Sequence, residues 1–304
     1  MIIISLILCL KNKKYFFYHL YIYIFAKKHF YHISKKISIM RILSLLYILL
    51  ISVSAFAKGK AEQPYVKIDD AKYKAIYNLN FIEDTIKRKI KSGYVMLLIG
   101  DSCSVYSTIN EIKLDSACYT LWKEGASQDQ ISMQAFKYAM GGIEHQTVYK
   151  NYPNSNEISV QHFLIQTSRY NEVMPKLKWT ETGVSKEIRG VNCKEAICSY
   201  KGRNYVAYYS PDIPISNGPH IFGGLPGLIL ELSDGNSEYV WTIESFEPSE
   251  GMPIIVSNKN IENMTREKYR EIDKNIHIKP GLRFPFDKNM MNMKSKPYNP
   301  IEKY

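Results

Sequence analysis

No aspartate or glutamate occurs in residues 1–57, although the 304-residue chain carries 29 of them against 40 lysines and arginines. The same stretch holds Lys11, Lys13, Lys14, Lys27, Lys28, Lys35, Lys36 and Arg41, so most of the formal net charge of +11 is local to it. With those eight set aside, residues 58–304 carry 32 basic against 29 acidic groups, a net +3. That balance makes no basic face, and no nucleic-acid partner is expected. Other absences narrow the field further. Neither G-x-x-x-x-G-K-[ST] nor G-x-G-x-x-G occurs, so no nucleotide cofactor is expected. Histidines never stand as H-x-x-x-H or H-E-x-x-H, which removes the helical zinc sites. The apolar runs 15–26 and 42–53 fall well short of the ~20 residues of a membrane-spanning helix. There is no internal repeat and no low-complexity tract.

What is present at the start is a leader. Residues 40–57 read MRILSLLYILLISVSAFA: Met40 and Arg41 as a positive n-region, 42–53 as an apolar core, and Ala55-Phe56-Ala57 as a small-residue cleavage site. This is the pattern of a secretory signal peptide. It predicts cleavage near Ala57, an exported protein in the periplasm or at the cell surface, and no integral membrane span in the mature form. Residues 1–39 are then an upstream extension, with Met40 the true start. No Cys follows the apolar core in a lipobox, so no lipid anchor is indicated. Residues 58–304 are expected to form a single domain.

That domain holds Cys103, Cys118, Cys193 and Cys198. Export permits disulfides, and four cysteines allow three pairings. If 191–200 is one strand, Cys193 and Cys198 stand about 16 Å apart and do not bridge each other. The C-x14-C and C-x4-C spacings with no nearby His fit zinc poorly.

Hydrophobic periodicity reads mainly β. In 72–81, Tyr73, Ala75, Tyr77, Leu79 and Phe81 alternate on one face. Residues 94–106 give a second strand or a bent pair. The segment 108–140 predicts one or two helices. Short apolar runs follow at 145–152, 158–165, 173–179, 190–200, 204–210, 228–232 and 238–246, separated by turn residues. Strands so spaced predict an antiparallel meander. Thr265 opens an amphipathic helix over 263–275. The proline-punctuated residues after 279 predict an extended tail. The expected architecture is a curved antiparallel sheet or half-barrel with one or two helical excursions.

Three features invite a chemical reading. MLLIGDSCS (96–104) runs an apolar strand into Gly-Asp-Ser, as in the nucleophile block of GDS-type esterases, with Ser102 as nucleophile. Such enzymes also carry a G-x-N-D block and a distal D-x-x-H; neither occurs. The nearest pair, Asp273 and His277, is one residue too long, and a serine without a positioned base is a weak nucleophile. The alternative is a strand ending in a Gly-Asp turn, with Asp101 capping its own backbone. His220, beside Gly218-Pro219, and Arg203 are the candidate binding residues. Of the other histidines, His162 lies in an alternating strand and His145 and His277 carry no motif. The third feature is IFGGLPGLILEL (221–232). Leu225-Pro226-Gly227-Leu228 has Pro then Gly at the centre of a turn, a type II signature requiring positive φ at Gly227. A five-residue hairpin loop, 233–237, follows the next strand. The motif contains no acid, base or nucleophile before Glu231.

The run 179–234 resembles the GLPGLI family of exported proteins of Bacteroidetes-type bacteria. The motif stands here as Gly224, Leu225, Pro226, Gly227, Leu228 and Ile229. Trp179, Ile188, Gly190, Cys193, Ala196, Gly202-Arg203, Ala207, Ile213 to Ser216, Gly218-Pro219 and Phe222 fall where the family pattern places them. Tyr208 departs from the usual Trp, and Val191 from a frequent aromatic; Cys198 lies outside the pattern. The resemblance implies export and a mainly antiparallel β domain, and brings no reaction, cofactor, metal or catalytic residue. The expected function is therefore a non-enzymatic, envelope-associated binding or accessory role. It would take an apolar ligand or an outer-membrane protein on the sheet's open face. The alternative is a serine esterase using Ser102, and a third reading is a module that packs against a secreted partner.

Overall fold

The computed structural model describes residues 63–139, 143, 146–283, 294 and 297–303. The expected extension, the expected leader and its cleavage site near Ala57, His145 and much of the expected tail lie outside the described residues. In chain order the elements are β1 (Tyr65–Asp70), β2 (Tyr73–Asp84), β3 (Lys89–Ile99), β4 (Ser104–Thr108), α1 (Ile109–Lys123), α2 (Gln128–Ala139), β5 (Thr147–Lys150), β6 (Glu157–Phe163) and β7 (Thr167–Val173). They continue with β8 (Thr180–Ile188), β9 (Val191–Tyr200), β10 (Arg203–Ser210), β11 (Leu228–Asp234), β12 (Tyr239–Pro248), β13 (Pro253–Ser257), β14 (Ile261–Asn263) and α3 (Arg266–Ile278).

Twelve strands make one sheet, ordered β14-β7-β6-β5-β4-β3-β2-β12-β11-β10-β9-β8, which does not close into a barrel. Every pairing is antiparallel except β14 on β7. The mainly β expectation holds, with β14 making the sheet mixed. β1 and β13 form a separate two-stranded ribbon. Ile254 and Val256 of β13 pack with Met96, Leu98 and Val105 of the sheet, while Ile255, between them, packs with Cys118 and Ile131 of the helices. Strand periodicity thus makes the ribbon a middle layer between sheet and helices. It also explains why β3 reads VMLLI without alternation: Val95, Leu97 and Ile99 join the main core, and Met96 and Leu98 the second.

The other face of the sheet carries the main core. Ala75, Tyr77 and Leu79 are fully buried on it, as their alternation predicts. It is closed by the connector 211–227, which folds Ile221, Phe222 and Leu225 over Tyr205, Leu232 and Trp241. Tyr269 and Ile276 of α3 complete the cover. Thr265 caps α3, its hydroxyl accepting from Lys268 N at 3.3 Å. The open apolar face expected to take a ligand is therefore occupied by the protein's own chain.

Three local readings are corrected. Gly227 has no positive φ. The Gly227 N–H donates to Leu225 O at 2.8 Å, which closes a three-residue turn on Pro226. Glycine is required at 227 for another reason: a Cβ there would lie 2.0 Å from Ser210 O. The positive φ of the motif belongs to Gly224, at 85°. Residues 174–179 are not a strand; β7 ends at Val173, and Pro175 has no N–H to give a ladder. The hairpin after β11 has a four-residue loop, 235–238. Ser233 and Asp234 stay paired in the sheet, and Asp234 Oδ1 accepts from Tyr239 N at 2.8 Å.

Candidate functional site

The turn between β3 and β4 is a receptor for a carboxylate. Asp69 Oδ2 accepts from Ser102 N and Ser102 Oγ, both at 2.8 Å, and from Cys103 N at 3.2 Å. A Cβ at Gly100 would stand 2.3 Å from that oxygen, so glycine lets Asp69 in. The GDS run is thereby accounted for, with Asp69 as the carboxylate the turn holds. Asp101 instead pairs with Lys72. Burial pushes the Asp69 carboxyl up, but the Ser102 and Cys103 donors outweigh it and hold it at about 2, below 3.8. A carboxylate with so low a pKa is a poor base. No histidine lines the cleft beside Ser102 among the described residues. Asp273 and His277 line a different cleft with Tyr298, where Tyr298 donates to Asp273 Oδ2 at 3.1 Å. The esterase constellation is not assembled.

Because the native pKa lies below the unfolded one, Asp69 stabilises the fold above pH ~3.8 and stops doing so as pH falls through about 2. Asp69→Asn is expected to cost about 1–2 kcal/mol at pH 7 and to flatten the acid limb between pH 4 and 2, followed by urea unfolding. An unchanged acid limb would show that the turn does not bind the charged form.

Beside this turn lies a cleft of about 410 Å³. Its borders are the β3–β4 turn, the β5 end at Lys150, the β7–β8 connection at Met174–Leu177, and Ser216, Asn217 and Gly223 of the crossover 211–227 between β10 and β11. Lys150 is its buried floor. The Nζ donates to Asn217 Oδ1 at 2.8 Å, Gly218 O at 2.7 Å and Phe222 O at 2.6 Å, so all three ammonium protons are used. No carboxylate lies within ion-pair distance of it among the described residues. Burial pulls its pKa down to about 7. Asn217 Nδ2 passes the chain on to Ser104 Oγ at 3.0 Å.

The two candidate binding residues are interior. His220 is 2% exposed, with Nε2 2.8 Å from Gln146 Oε1. Burial first, and Lys150 second, lower its pKa to about 3, so it is neutral. Arg203 is 4% exposed; its Nη1 donates to Asp234 at 2.7 Å and Glu238 at 2.6 Å. Its other donors hold the C-terminal segment through Pro300 O and Asn299. Tyr205 Oη adds a bond to Ile301 O at 2.7 Å. Arg203 is a staple for the Asn299–Glu302 run, and neither residue is free to meet a ligand.

The four cysteines are free thiols. Cys103 belongs to the second core cluster, Cys118 to the third, and Cys193 and Cys198 share β9 in the first, so the fold brings no two into bridging distance. Burial raises every one of them, Cys103 to about 12, so none is a nucleophilic thiolate. No group of three or more His, Cys, Asp or Glu that would hold a metal occurs among the described residues.

The motif residues Gly224 to Ile229 carry the crossover back into the sheet. Ile229 N donates to Asn217 O at 3.0 Å, and Tyr77 Oη donates to Ile229 O at 2.8 Å. Trp179 Nε1 donates to Gly223 O at 2.8 Å. Sequence reading found the crossover and the β3–β4 turn but missed Lys150, Ser104 and Asn217. A lysine ending the strand TVYK reads as a solvated end, and nothing local marks it as buried.

Fold and site define the class: an open β-sheet protein with a polar-walled cleft and, among the described residues, no histidine beside its serines. Residues 154–231 match a family described as a protein of unknown function (Porph_ging). No curated protein matches the chain. Two solved structures, titled "Structure of PNGF-II in P21 space group" and "Structure of PNGF-II in C2 space group", overlap it with a TM-score of 0.44 each, at 17% and 18% identity. Each overlap covers 66% of this chain and 33% or 32% of the other, so the chain spans about a third of their length. An overlap this partial assigns no activity.

Proposed function

We propose that this is an exported, non-catalytic binding protein of the GLPGLI kind, and that its cleft takes an extended peptide segment. Export rests on the leader at 40–57, and the kinship on the pattern across 179–234. One observation carries the peptide reading. Residues 174–179 form no regular element, 174–177 of them line the cleft, and the backbone N–H groups of Lys176, Leu177 and Lys178 make no backbone hydrogen bond among the described residues. An unpaired run of backbone beside a groove is what an extended peptide pairs with, and Met174 and Leu177, which line the cleft, offer its side chains apolar contact. An apolar ligand on the sheet face is disfavoured, because that face is filled. An outer-membrane protein stays consistent as the source of the peptide.

The test is hydrogen exchange by mass spectrometry on the exported chain, with and without a random heptapeptide mixture. Protection gained at 174–179, with peptides retained after desalting, is the expected result. No protection there and no retained peptide would remove the proposal.

A further inference from the structure

We infer that the floor of this cleft receives a terminal carboxylate, delivered to the hydroxyl of Ser104. The inference rests on the reading of the cleft as a peptide site and names the group that anchors the peptide. The hydrogen-bond chain there has a direction. Lys150 Nζ, an ammonium with no carboxylate in ion-pair reach among the described residues, donates to Asn217 Oδ1 at 2.8 Å. The Asn217 amide must then point Nδ2 away, and it donates to Ser104 Oγ at 3.0 Å. Ser104 Oγ, having accepted, has its own proton left to give. No acceptor for it exists among the described residues, although Ser104 is only 3% exposed and lines the cleft. An unspent donor at the bottom of a cleft is costly unless something accepts from it.

Two physical effects select an anion over a neutral acceptor. Hydrogen bonds in series polarise one another, and below about pH 7, where Lys150 holds its proton, the first donor is a positive charge, so the last hydroxyl is a stronger donor than an ordinary serine. The charge that protonated Lys150 carries is also uncompensated among the described residues. Its three protons go to an amide and two backbone carbonyls, which solvate the charge and do not cancel it. The second positive group on the cleft is Lys176. The nearby acids are engaged elsewhere: Asp101 pairs with Lys72, and Asp69 faces the Ser102 and Cys103 donors. The cleft thus has a positive floor, one hydroxyl to bond a carboxylate oxygen, and an unpaired backbone wall for the rest of the chain.

The experiment uses the full exported chain, labelled with ¹⁵N and held about one pH unit below the Lys150 pKa of about 7 so that its ammonium is present, and reads the Asn217 side-chain amide and the cleft backbone signals by NMR. The probes are N-acetyl-Leu-Ala-Ala as free acid, the same peptide as carboxamide, and hexanoate. The free acid is expected to bind at least ten-fold more tightly than the carboxamide and to move the Asn217 signal. Ser104→Ala, which keeps the strand and removes one oxygen, is expected to bring acid and carboxamide within two-fold of each other. If acid and carboxamide shift Leu177 and Gly223 equally in the wild type, the carboxylate inference is overturned and the peptide cleft stands. Hexanoate binding as tightly as the acid supports the carboxylate floor and overturns the peptide reading. No cleft shift with any probe overturns both.

Discussion

Gly227→Val is expected to leave almost no folded protein: loss of more than about 4 kcal/mol, seen as little recoverable chain on expression and as no cooperative melt in what is recovered. The reason is distance and not backbone conformation. A Cβ at 227 would sit 2.0 Å from Ser210 O, 2.6 Å from the Ser210 carbonyl carbon and 3.0 Å from Pro211 N. All three are backbone atoms, held at the junction where β10 leaves the sheet and β11 returns, so no side chain can swing aside. Alanine already carries the offending atom, so Gly227→Ala is expected to fail nearly as badly. Gly224 separates the two explanations. It has φ of 85° with open space around its Cβ position, and Gly224→Ala is expected to cost only about 1–2 kcal/mol of backbone strain. If Gly227→Ala melts like Gly224→Ala, the close approach is not what the motif protects.

This contrast shows what was legible in the sequence. That 221–232 is a structural turn feeding a buried strand was readable from its glycines, its proline and the alternation of Leu228, Leu230 and Leu232. Which glycine does which job was not. Positive φ and close approach leave the same letter, and only the position of Ser210, seventeen residues earlier, tells them apart. Likewise the alternation in β2 gave its buried face, and Thr265 the start of α3, because both are local patterns. The filled sheet face was hidden, since the residues that fill it, Ile221 and Phe222, sit in a loop with no period. The GDS run pointed to a real turn and to the wrong chemistry. Its partner Asp69 lies 33 residues away in a separate ribbon. Lys150 was hidden by its type: lysine at a strand end is ordinarily solvated, and its three acceptors are 67 to 72 residues further on.

Lys150→Met is the second large effect, with an expected loss of about 2–4 kcal/mol and a loosened crossover. Methionine fills much the same volume, so no sizeable cavity opens. What is lost is three donors. Asn217 Oδ1 keeps its bond from Gly218 N, but the carbonyls of Gly218 and Phe222 are left buried without that donor, at about 1–3 kcal/mol each. Part of this is offset because the variant no longer buries an ammonium, so the net falls below the sum. The crossover 213–222 is where the loss falls, and its amides are expected to exchange faster while those of β2 and β3 change little. The dependence on pH identifies the charge as the agent. Burial holds the native Lys150 at about 7, below its ordinary 10.5. Between those values the unfolded chain carries a proton that the native chain has released, so native stability rises with pH across that window, by up to about 1.4 kcal/mol per unit. Wild type minus Lys150→Met, measured by urea unfolding from pH 6.5 to 9.5, is expected to grow with pH above 7. A difference that stays flat would mean the native state keeps the ammonium throughout, with its three acceptors outweighing the cost of burying it.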